Sequence, residues 1–304
     1  METIDCAIFY EWEFDDEFVS IVSNKLSASN IPNRVYHAAD FPGLRERVKR
    51  RELSFKVVID RASDADENCE AIVSTLVRSG TYLINDPAEI LHASDKASMH
   101  LEFMTAGIFV PYTIIISPYS AEREVKLSIA ELAKLGRPFI IKPANTTGGG
   151  IGVVMGAEGL QEVVDTRKHH KNDKYLLQSR ITPTNLDGKR AWFRPFFVFG
   201  EVIICWWDDQ THVYFEATRE DISAFNLAGI ETVVRRIYQV CKLDFFSTEI
   251  ALTTDGKFVV IDYVNEMCDM RIKSKHYDGV PDNVVEVVGE QIARGVYGLL
   301  GQGR

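Results

Sequence analysis

The amino-terminal part of the chain alternates short apolar runs with amphipathic stretches. The apolar runs are CAIFY, RVYHA, FKVVID and TYLIND, and the segments between them carry apolar residues at helical spacing. Strands that alternate with helices form parallel sheets, because each helix carries the chain back across the sheet in a right-handed crossover. The sequence therefore predicts an α/β lobe with a parallel sheet at the start of the chain.

Composition and charge exclude several classes of protein. The chain has 304 residues, of which 46% are hydrophobic, so it can bury a large core. Its net charge of −10 disfavours nucleic acid or an anionic membrane as a partner, since phosphate groups attract basic surfaces. The acidic amino terminus lacks the features of a signal peptide, and no apolar stretch is long enough to span a bilayer. We expect a cytoplasmic protein with no nucleic-acid or membrane partner.

The five cysteines are scattered along the chain and are never spaced as CxxC. Buried, reduced thiols explain this pattern better than a disulfide framework or a zinc site does. The cysteine pattern therefore agrees with a cytosolic protein.

The middle of the chain repeats the alternation with shorter strands. A predicted helix, DKASMHLEFMT, ends at Gly107, and a second one covers AEREVKLSIAELAKLG. The predicted strands PYTIIIS, PFIIK, IGVVMG and KYLLQSR surround a glycine-rich loop. We expect a small lid-like unit with this loop between two of its strands.

The last third of the chain predicts longer, antiparallel strands. FRPFFVFGEVIICWWD is one long apolar stretch, and FFSTEIALTTDGKFVVIDYVN has two apolar runs on either side of Asp255-Gly256. An Asp-Gly pair in that position is a strong signal of a hairpin. Helices are predicted for AGIETVVRRIYQVC and for DNVVEVVGEQIARGVYGLL.

The glycine-rich loop lies close after a lysine, Lys142. A Walker A loop is excluded, because its lysine follows the last glycine and begins a helix. A dinucleotide-binding loop would lie at the first strand-to-helix turn instead. What remains is a flap whose backbone amides close over phosphates, while Lys142 contacts them from the strand below. A merely flexible connection is the alternative.

Glu249 and Asp262 lie on opposite arms of the predicted hairpin, with Asn265 just beyond. Pairing across the hairpin can bring the two carboxylates to one face at the same height. Two carboxylates and an amide oxygen suit Mg²⁺, which takes few protein ligands and completes its shell with water and phosphates. A solvated polar face is the alternative, although the apolar flanks of both residues make an unpaired charge costly there.

These segments together resemble the ATP-grasp superfamily in order and spacing. The resemblance rests on the lysine after ASD, on AGIFVPYT, PFIIKPANTTGGGIGV, KYLLQSRI and STEIALTTDGKFVVIDYVN, and it covers the chain from about Asn85 to Asn265. It implies an α/β protein, with α+β character in the C-terminal lobe, that has an ATP-grasp fold preceded by a Rossmann-like pre-ATP-grasp domain. The implied domains are 1–93 for that N-terminal domain, 94–180 for the lid subdomain with the flap, and 181–304 for the C-terminal subdomain with the metal site.

The resemblance also implies roles for individual residues in binding ATP and one or two Mg²⁺ ions, for which Mn²⁺ would substitute. The phosphate group consists of Lys96, Lys142, Gly148, Gly149, Gly150 and Gly152; the adenine and ribose group of Gln178, Ser179, Ile181 and Asp187; and the metal group of Glu249, Asp262 and Asn265. The adenine would bind to the backbone of Gln178 to Ile181.

Two departures from the family pattern concern the metal strand. The family usually has a single residue between the acid and the asparagine, whereas Asn265 comes three positions after Asp262. Both side chains can face the metal only if the strand has a bulge between them. Ser247 stands where the D-alanine ligase branch has an oxyanion-binding arginine. The candidates for that catalytic role are Arg271 and Arg194, and the alternative is that the role is absent.

The reaction implied by the resemblance is the ligation of a small-molecule carboxylate to an amine. The γ-phosphoryl group of ATP would pass to the carboxylate, and the amine would attack the resulting acyl phosphate. The basic segment RIKSKH either binds a substrate carboxylate or forms a solvated turn. An ATP-grasp kinase of a small molecule and a non-catalytic nucleotide-binding protein are the alternatives, and a homodimer is left open.

Overall fold

A computed structural model describes residues 1–145 and 152–301 of the chain. Gly148, Gly149 and Gly150, which the sequence predicts to form part of the flap, lie outside the described residues. The described residues form sheets of four, two, seven and four strands. No helix within them is both long and apolar enough to cross a membrane. All five cysteines are buried and form no disulfides, as predicted.

The amino-terminal unit is a four-stranded parallel sheet with the strand order β2-β1-β3-β4, as the alternating pattern predicts. Its elements are β1 (Glu2–Tyr10), α1 (Asp16–Ala28), β2 (Asn33–His37), α2 (Phe41–Lys49), β3 (Leu53–Arg61), α3 (Glu67–Arg78) and β4 (Tyr82–Ile84). Helices cover both faces, since α1 contributes to one hydrophobic core and α2 and α3 contribute to another.

The middle unit is a four-stranded antiparallel sheet with the order β5-β8-β6-β7. Its elements, with two preceding helices, are α4 (Pro87–Ser94), α5 (Lys96–Thr105), β5 (Thr113–Ile116), α6 (Ile129–Leu135), β6 (Phe139–Pro143), β7 (Val154–Ala157), α7 (Leu160–Thr166) and β8 (Tyr175–Ser179). The sequence predicts α6 to begin at Ala121, but it begins later because Ser128 and Glu131 form a capping box there.

The carboxy-terminal unit contains a two-stranded hairpin and a seven-stranded sheet. Its elements are β9 (Asn185–Leu186), β10 (Lys189–Arg190), β11 (Trp192–Phe193), β12 (Phe196–Val198), β13 (Glu201–Ile203), β14 (Cys205–Trp207), β15 (Tyr214–Glu216), α8 (Arg219–Ala224), α9 (Ala228–Cys241), β16 (Phe245–Leu252), β17 (Phe258–Asn265) and α10 (Asp282–Gly301). The large sheet has the order β13-β12-β16-β11-β14-β15, and β17 pairs with β16.

The long strand predicted over FRPFFVFGEVIICWWD is broken into four short ones. Phe199 and Gly200 both have positive φ values, of 46° and 94°, and they form a two-residue turn between β12 and β13. Two consecutive left-handed residues are typical of a tight hairpin turn whose twist matches that of its strands. The apolar stretch therefore folds back on itself instead of extending.

The large sheet lies between two hydrophobic cores. One core contains residues of α1, α10 and the parallel sheet, and the other contains residues of α5 and α9. Because α10 packs against α1, the last helix of the chain joins the amino-terminal unit to the large sheet.

A buried ion pair also joins the parallel sheet to the segment after β17. Arg61, the last residue of β3, donates hydrogen bonds of 2.8 Å to both carboxylate oxygens of Asp15 and one of 2.9 Å to the main-chain oxygen of Cys268. The two side chains are almost fully buried, with 5% of Arg61 and 1% of Asp15 exposed. This contact fixes the loop after β1 and the segment after β17 relative to each other.

Asp15→Ala is expected to lower the free energy of unfolding by about 3–5 kcal/mol, because it leaves the Arg61 charge buried without a partner. Urea denaturation followed by circular dichroism measures the change. Glu286→Ala is the control, because it breaks the exposed pair of Lys25 and Glu286 at 2.7 Å, and exposed pairs contribute little. Equal losses in the two variants would contradict the prediction.

Gly152→Ala is expected to destabilise the protein, because Gly152 has a φ of +78° and an added Cβ would lie 3.0 Å from Cδ2 of His170. A left-handed conformation alone costs a residue with a side chain about 1–2 kcal/mol. Gly156→Ala in β7 is the matched control, because nothing lies within 4 Å of its added Cβ. Thermal unfolding compares the two variants, and a Tm for Gly152→Ala no lower than that of the control would refute the expectation.

Candidate active site

The hairpin of β16 and β17 places the predicted metal residues together. Glu249 pairs with Asp262, and Ser247 pairs with Asn265, so β17 has one more residue than β16 between these two pairs. The extra residue forms the bulge that the spacing of Asp262 and Asn265 requires. The bulge brings the two side chains together, because the amide nitrogen of Asn265 donates a 3.0 Å hydrogen bond to Oδ2 of Asp262.

Arg194 and Trp192 hold the carboxylate of Glu249. Nη1 of Arg194 lies 3.3 Å from Oε1 of Glu249, and Nε1 of Trp192 donates a 3.2 Å hydrogen bond to Oε2. The guanidinium of Arg194 also lies over the ring of Trp207, 4.9 Å from its centroid. Arg194 precedes β12, next to β16, so the sheet fixes its position beside the carboxylate pair.

Lys142 extends from the four-stranded sheet of the middle unit to β17, the strand that carries Asp262. It lies in β6, and its Nζ donates a 3.0 Å hydrogen bond to the main-chain oxygen of Ile261 in β17. Burial lowers the pKa of Lys142 to about 8, and the charge of Lys96 acts in the same direction against the attraction of Asp262 and Glu249. The two predicted phosphate lysines and the two predicted metal carboxylates are thus within electrostatic reach of one another.

Three buried side chains that are hydrogen-bonded to one another, Tyr263, His100 and Gln178, lie next to Lys142. Nζ of Lys142 lies 5.0 Å from the ring centroid of Tyr263, whose hydroxyl is 2.6 Å from Nδ1 of His100 and accepts a 2.8 Å hydrogen bond from Gln178. Burial, together with the charge of Lys142, lowers the pKa of His100 to about 4, so this histidine stays neutral at physiological pH. The group adds no charge to the site.

The two carboxylates differ in their electrostatic environment. Burial raises the pKa of Glu249, and repulsion by Asp262 adds to this effect against the attraction of Arg194. Burial acts on Asp262 in the same way, but the charges of Lys142, Lys96 and Arg194 outweigh it and lower the pKa of Asp262. A cation bound between the two carboxylates would relieve the repulsion that Glu249 experiences.

The donor set fits a magnesium ion that also binds phosphates. Within the described residues, no three side chains of His, Cys, Asp or Glu are grouped so that they could hold a metal by themselves. Glu249 and Asp262 supply carboxylate oxygens, and the amide oxygen of Asn265 remains for a ligand, because its nitrogen is bonded to Asp262. Mg²⁺ prefers such a small set of oxygens, with water and phosphate completing its shell.

The sheet pairing of β8 limits which backbone groups of the predicted segment could contact adenine. The backbone of Gln178 is in register with Thr113 on one side and Ile140 on the other, and the amide of Ser179 donates to the main-chain oxygen of Tyr112. Backbone groups engaged in a sheet are not free for a ligand. The backbone of Gln178 and the amide of Ser179 are thus paired within the sheet, whereas Arg180 and Ile181 lie beyond the end of β8.

Asp187, predicted to contact the ribose, and Arg271, a candidate catalytic residue, form no hydrogen bond or ion pair with Glu249 or Asp262 within the described residues. Asp187 is exposed in the turn between β9 and β10. Arg271 is bonded to Asp269 at 2.7 Å and to Asp278 at 3.1 Å, and it lies 5.8 Å from the ring centroid of Trp12. Of the two arginine candidates, only Arg194 contacts a predicted metal residue.

The basic segment RIKSKH is tied to its neighbours. Lys273 donates a hydrogen bond to the main-chain oxygen of Tyr214, and Lys275 pairs with Glu17 of α1. The ring of His276 packs against that of Phe14, with 5.4 Å between the centroids. These contacts favour the interpretation of RIKSKH as a structural turn over that of a substrate-binding segment.

Several residues of the site are missing from the sequence-based prediction. Trp192, Tyr263 and His100 contact the predicted residues directly. Glu266 is a further, partly buried carboxyl whose pKa is raised, first by its burial and then by repulsion from Asp64. In the sequence, two of these residues could have been found by their position alone. Tyr263 directly follows the predicted ligand Asp262, and Glu266 directly follows Asn265.

Comparisons with known proteins give structural matches without sequence matches. No family model matches the chain, and no curated protein matches it. A RimK domain ATP-grasp protein from Sphaerobacter thermophilus is 18% identical, with a TM-score of 0.65 over 96% of this chain and 98% of its own.

Two further solved structures are similar over nearly the whole chain. The ATP-grasp ligase PsnB, complexed with a minimal precursor, Mg and ADP, is 14% identical, with a TM-score of 0.62 over 98% of this chain and 99% of its own. D-alanine–D-alanine ligase from Bacillus anthracis, complexed with ATP, is 13% identical, with a TM-score of 0.62 over 99% of each chain. The chain therefore has the mixed helix-and-sheet fold of these ATP-grasp structures, as the resemblance predicts.

Proposed function

We propose that the protein is an ATP- and Mg²⁺-dependent ligase that joins a carboxylate to an amine. The observation that carries this proposal is the pairing of Glu249 with Asp262 on one hairpin, with Lys142 bonded to the same strand. The similar structures support it, since PsnB and the alanine ligase are both named as ligases and are complexed with ADP or ATP.

The proposed roles follow from position and charge. Lys142 and Lys96 bind the phosphate chain of ATP, and Glu249, Asp262 and Asn265 hold Mg²⁺, which when bound neutralises phosphate charge. Gly152 contacts the phosphates, and the segment from Arg180 to Ile181 binds adenine.

Arg194 is the proposed oxyanion-binding residue in place of the family's arginine. It contacts Glu249 and has a second interaction with Trp207, so its guanidinium is held in one orientation. A fixed cation beside the reacting carboxylate stabilises the negative charge that develops when an amine attacks the acyl phosphate. Arg271 is engaged with two carboxylates of its own, and we do not propose it for this role.

Phosphate release from ATP with candidate carboxylates and amines tests the proposed function. A ligase releases phosphate only when both co-substrates are present, because the acyl phosphate forms on one and is consumed by the other. Release with one acceptor and no amine, together with a phosphorylated product, would identify a kinase and overturn the proposal. No release with any pair of amino acids or short peptides would equally count against it.

Glu249→Gln and Asp262→Asn are each expected to lower kcat about 10²–10³-fold, because each removes charge that holds the cation at the phosphates. Asp255→Asn is the matched control, since Asp255 lies exposed in the turn of the same hairpin, where it pairs with Lys257 at 2.6 Å and accepts a 2.6 Å hydrogen bond from Thr253. The control is expected to keep the rate within about twofold. Steady-state kinetics make the comparison, and equal rates for all three variants would exclude the proposed metal site.

Arg194→Met is expected to lower kcat about 10²-fold or more, because it removes a charge that interacts with the transition state. Arg271→Met is expected to leave kcat nearly unchanged, since Arg271 contacts Asp269 and Asp278 and not the carboxylate pair. The kcat and KM of the two variants are measured under the same conditions. A larger loss of kcat in Arg271→Met would reverse the assignment.

A further inference from the structure

A large groove lies at the edge of the parallel sheet opposite to the candidate active site. It has a volume of about 1610 Å³ and is lined by the first residues of β3 and β4 and by the ends of α2 and α3. Arg61, at the other end of β3, lies on the side of the active site. Pockets for small molecules usually measure about 300–1,000 Å³, so the volume of this groove favours a polypeptide segment.

The groove carries an excess of positive charge in a chain whose net charge is −10. Five of its lining residues are exposed cations that form no ion pair within the described part of the chain: Arg45, Lys49, Arg51, Arg78 and Lys242. A sixth, Lys56, pairs with Asp5 outside the groove at 2.7 Å. The charge is therefore available to a partner.

The carboxylates that line the groove are engaged elsewhere. Asp86 caps α4, Glu89 lies 3.8 Å from His92, and Asp244 accepts a 2.6 Å hydrogen bond from Tyr82. None of the three forms an ion pair with the five cations within residues 1–145 and 152–301. The carboxylates of the lining therefore do not pair with its five cations.

Helix ends explain only part of this clustering. Lys49, Arg78 and Lys242 lie at the C-terminal ends of α2, α3 and α9. Each such end is equivalent to about half a negative charge. Three ends therefore do not offset five cations, and a net positive surface remains.

The groove is also partly apolar. Val77, 47% exposed, and the half-buried Leu299 and Leu300 line it, whereas the other apolar lining residues, such as Leu53 and Leu76, are buried in the core. Nucleic acid supplies phosphates but no aliphatic side chains for such a surface. A peptide with carboxylates and aliphatic residues supplies both kinds of contact.

We propose that this groove binds an acidic polypeptide segment in which carboxylates alternate with aliphatic residues. The cations around the groove face the carboxylates, and Val77, Leu299 and Leu300 contact the aliphatic side chains. Because the groove lies away from the carboxylate pair of the active site, the inference does not depend on the proposed ligase function.

Fluorescence anisotropy with a fluorescein-labelled peptide of three Glu-Leu-Asp-Leu repeats tests the proposal on the whole protein. Saturable binding that weakens near 1 M salt is expected, because salt screens exposed charges. The same peptide with lysine in place of every acidic residue is expected not to bind. No saturable binding of the acidic peptide, or equal binding of the two peptides, would overturn the proposal without the need for any variant.

The double variant Lys49→Glu with Arg78→Glu places the site. It is expected to weaken binding of the acidic peptide about tenfold or more. The control is the double variant Lys171→Glu with Arg219→Glu, which changes the net charge equally at exposed positions outside the groove. The control is expected to bind the peptide as the unchanged protein does. Circular dichroism verifies that both variants fold. Equal weakening in both would reject the groove, and displacement of the peptide by a thymidine 12-mer as effectively as by unlabelled peptide would assign the surface to nucleic acid instead.

Discussion

The register of β16 against β17 is the constraint on which the candidate site depends. It sets Glu249 opposite Asp262, and the bulge that follows turns Asn265 back towards Asp262. A shift of register by one residue would move the side chains of a strand to the other face of the sheet. Lys142 donates a hydrogen bond to the same strand, so this hairpin also contacts the four-stranded sheet of the middle unit, to which Lys142 belongs.

The candidate site contains two carboxylates, Glu249 and Asp262, that repel each other. The two partly buried carboxylates face each other, and three cations, from β6, from α5 and from the segment before β12, interact with them electrostatically. Such a group is costly in a folded protein unless each charge has a partner. Arg194, Lys142 and Lys96 come from different units of the chain, so the site forms only when those units are packed together.

The contact between the amino-terminal unit and the large sheet rests on a second buried charge. Arg61 joins Asp15 to the segment that follows β17. Because β17 carries Asp262 and Asn265, this ion pair links the parallel sheet to the strand of the candidate metal residues. The groove on the opposite edge of the same sheet has five cations that form no ion pair within residues 1–145 and 152–301, which is why we infer a partner there.

The sequence by itself determined the local elements and the kinds of chemical groups. Its alternating pattern predicts the parallel sheet, Asp255-Gly256 predicts the hairpin, and the spacing of Asp262 and Asn265 requires a bulge, because these features depend on residues close in the chain. Only the tertiary structure decided that Arg194 and not Arg271 lies beside Glu249, that Tyr263 and His100 support Lys142, and that the backbone of Gln178 is already paired. These outcomes depend on contacts between distant segments and on burial, which local pattern does not record.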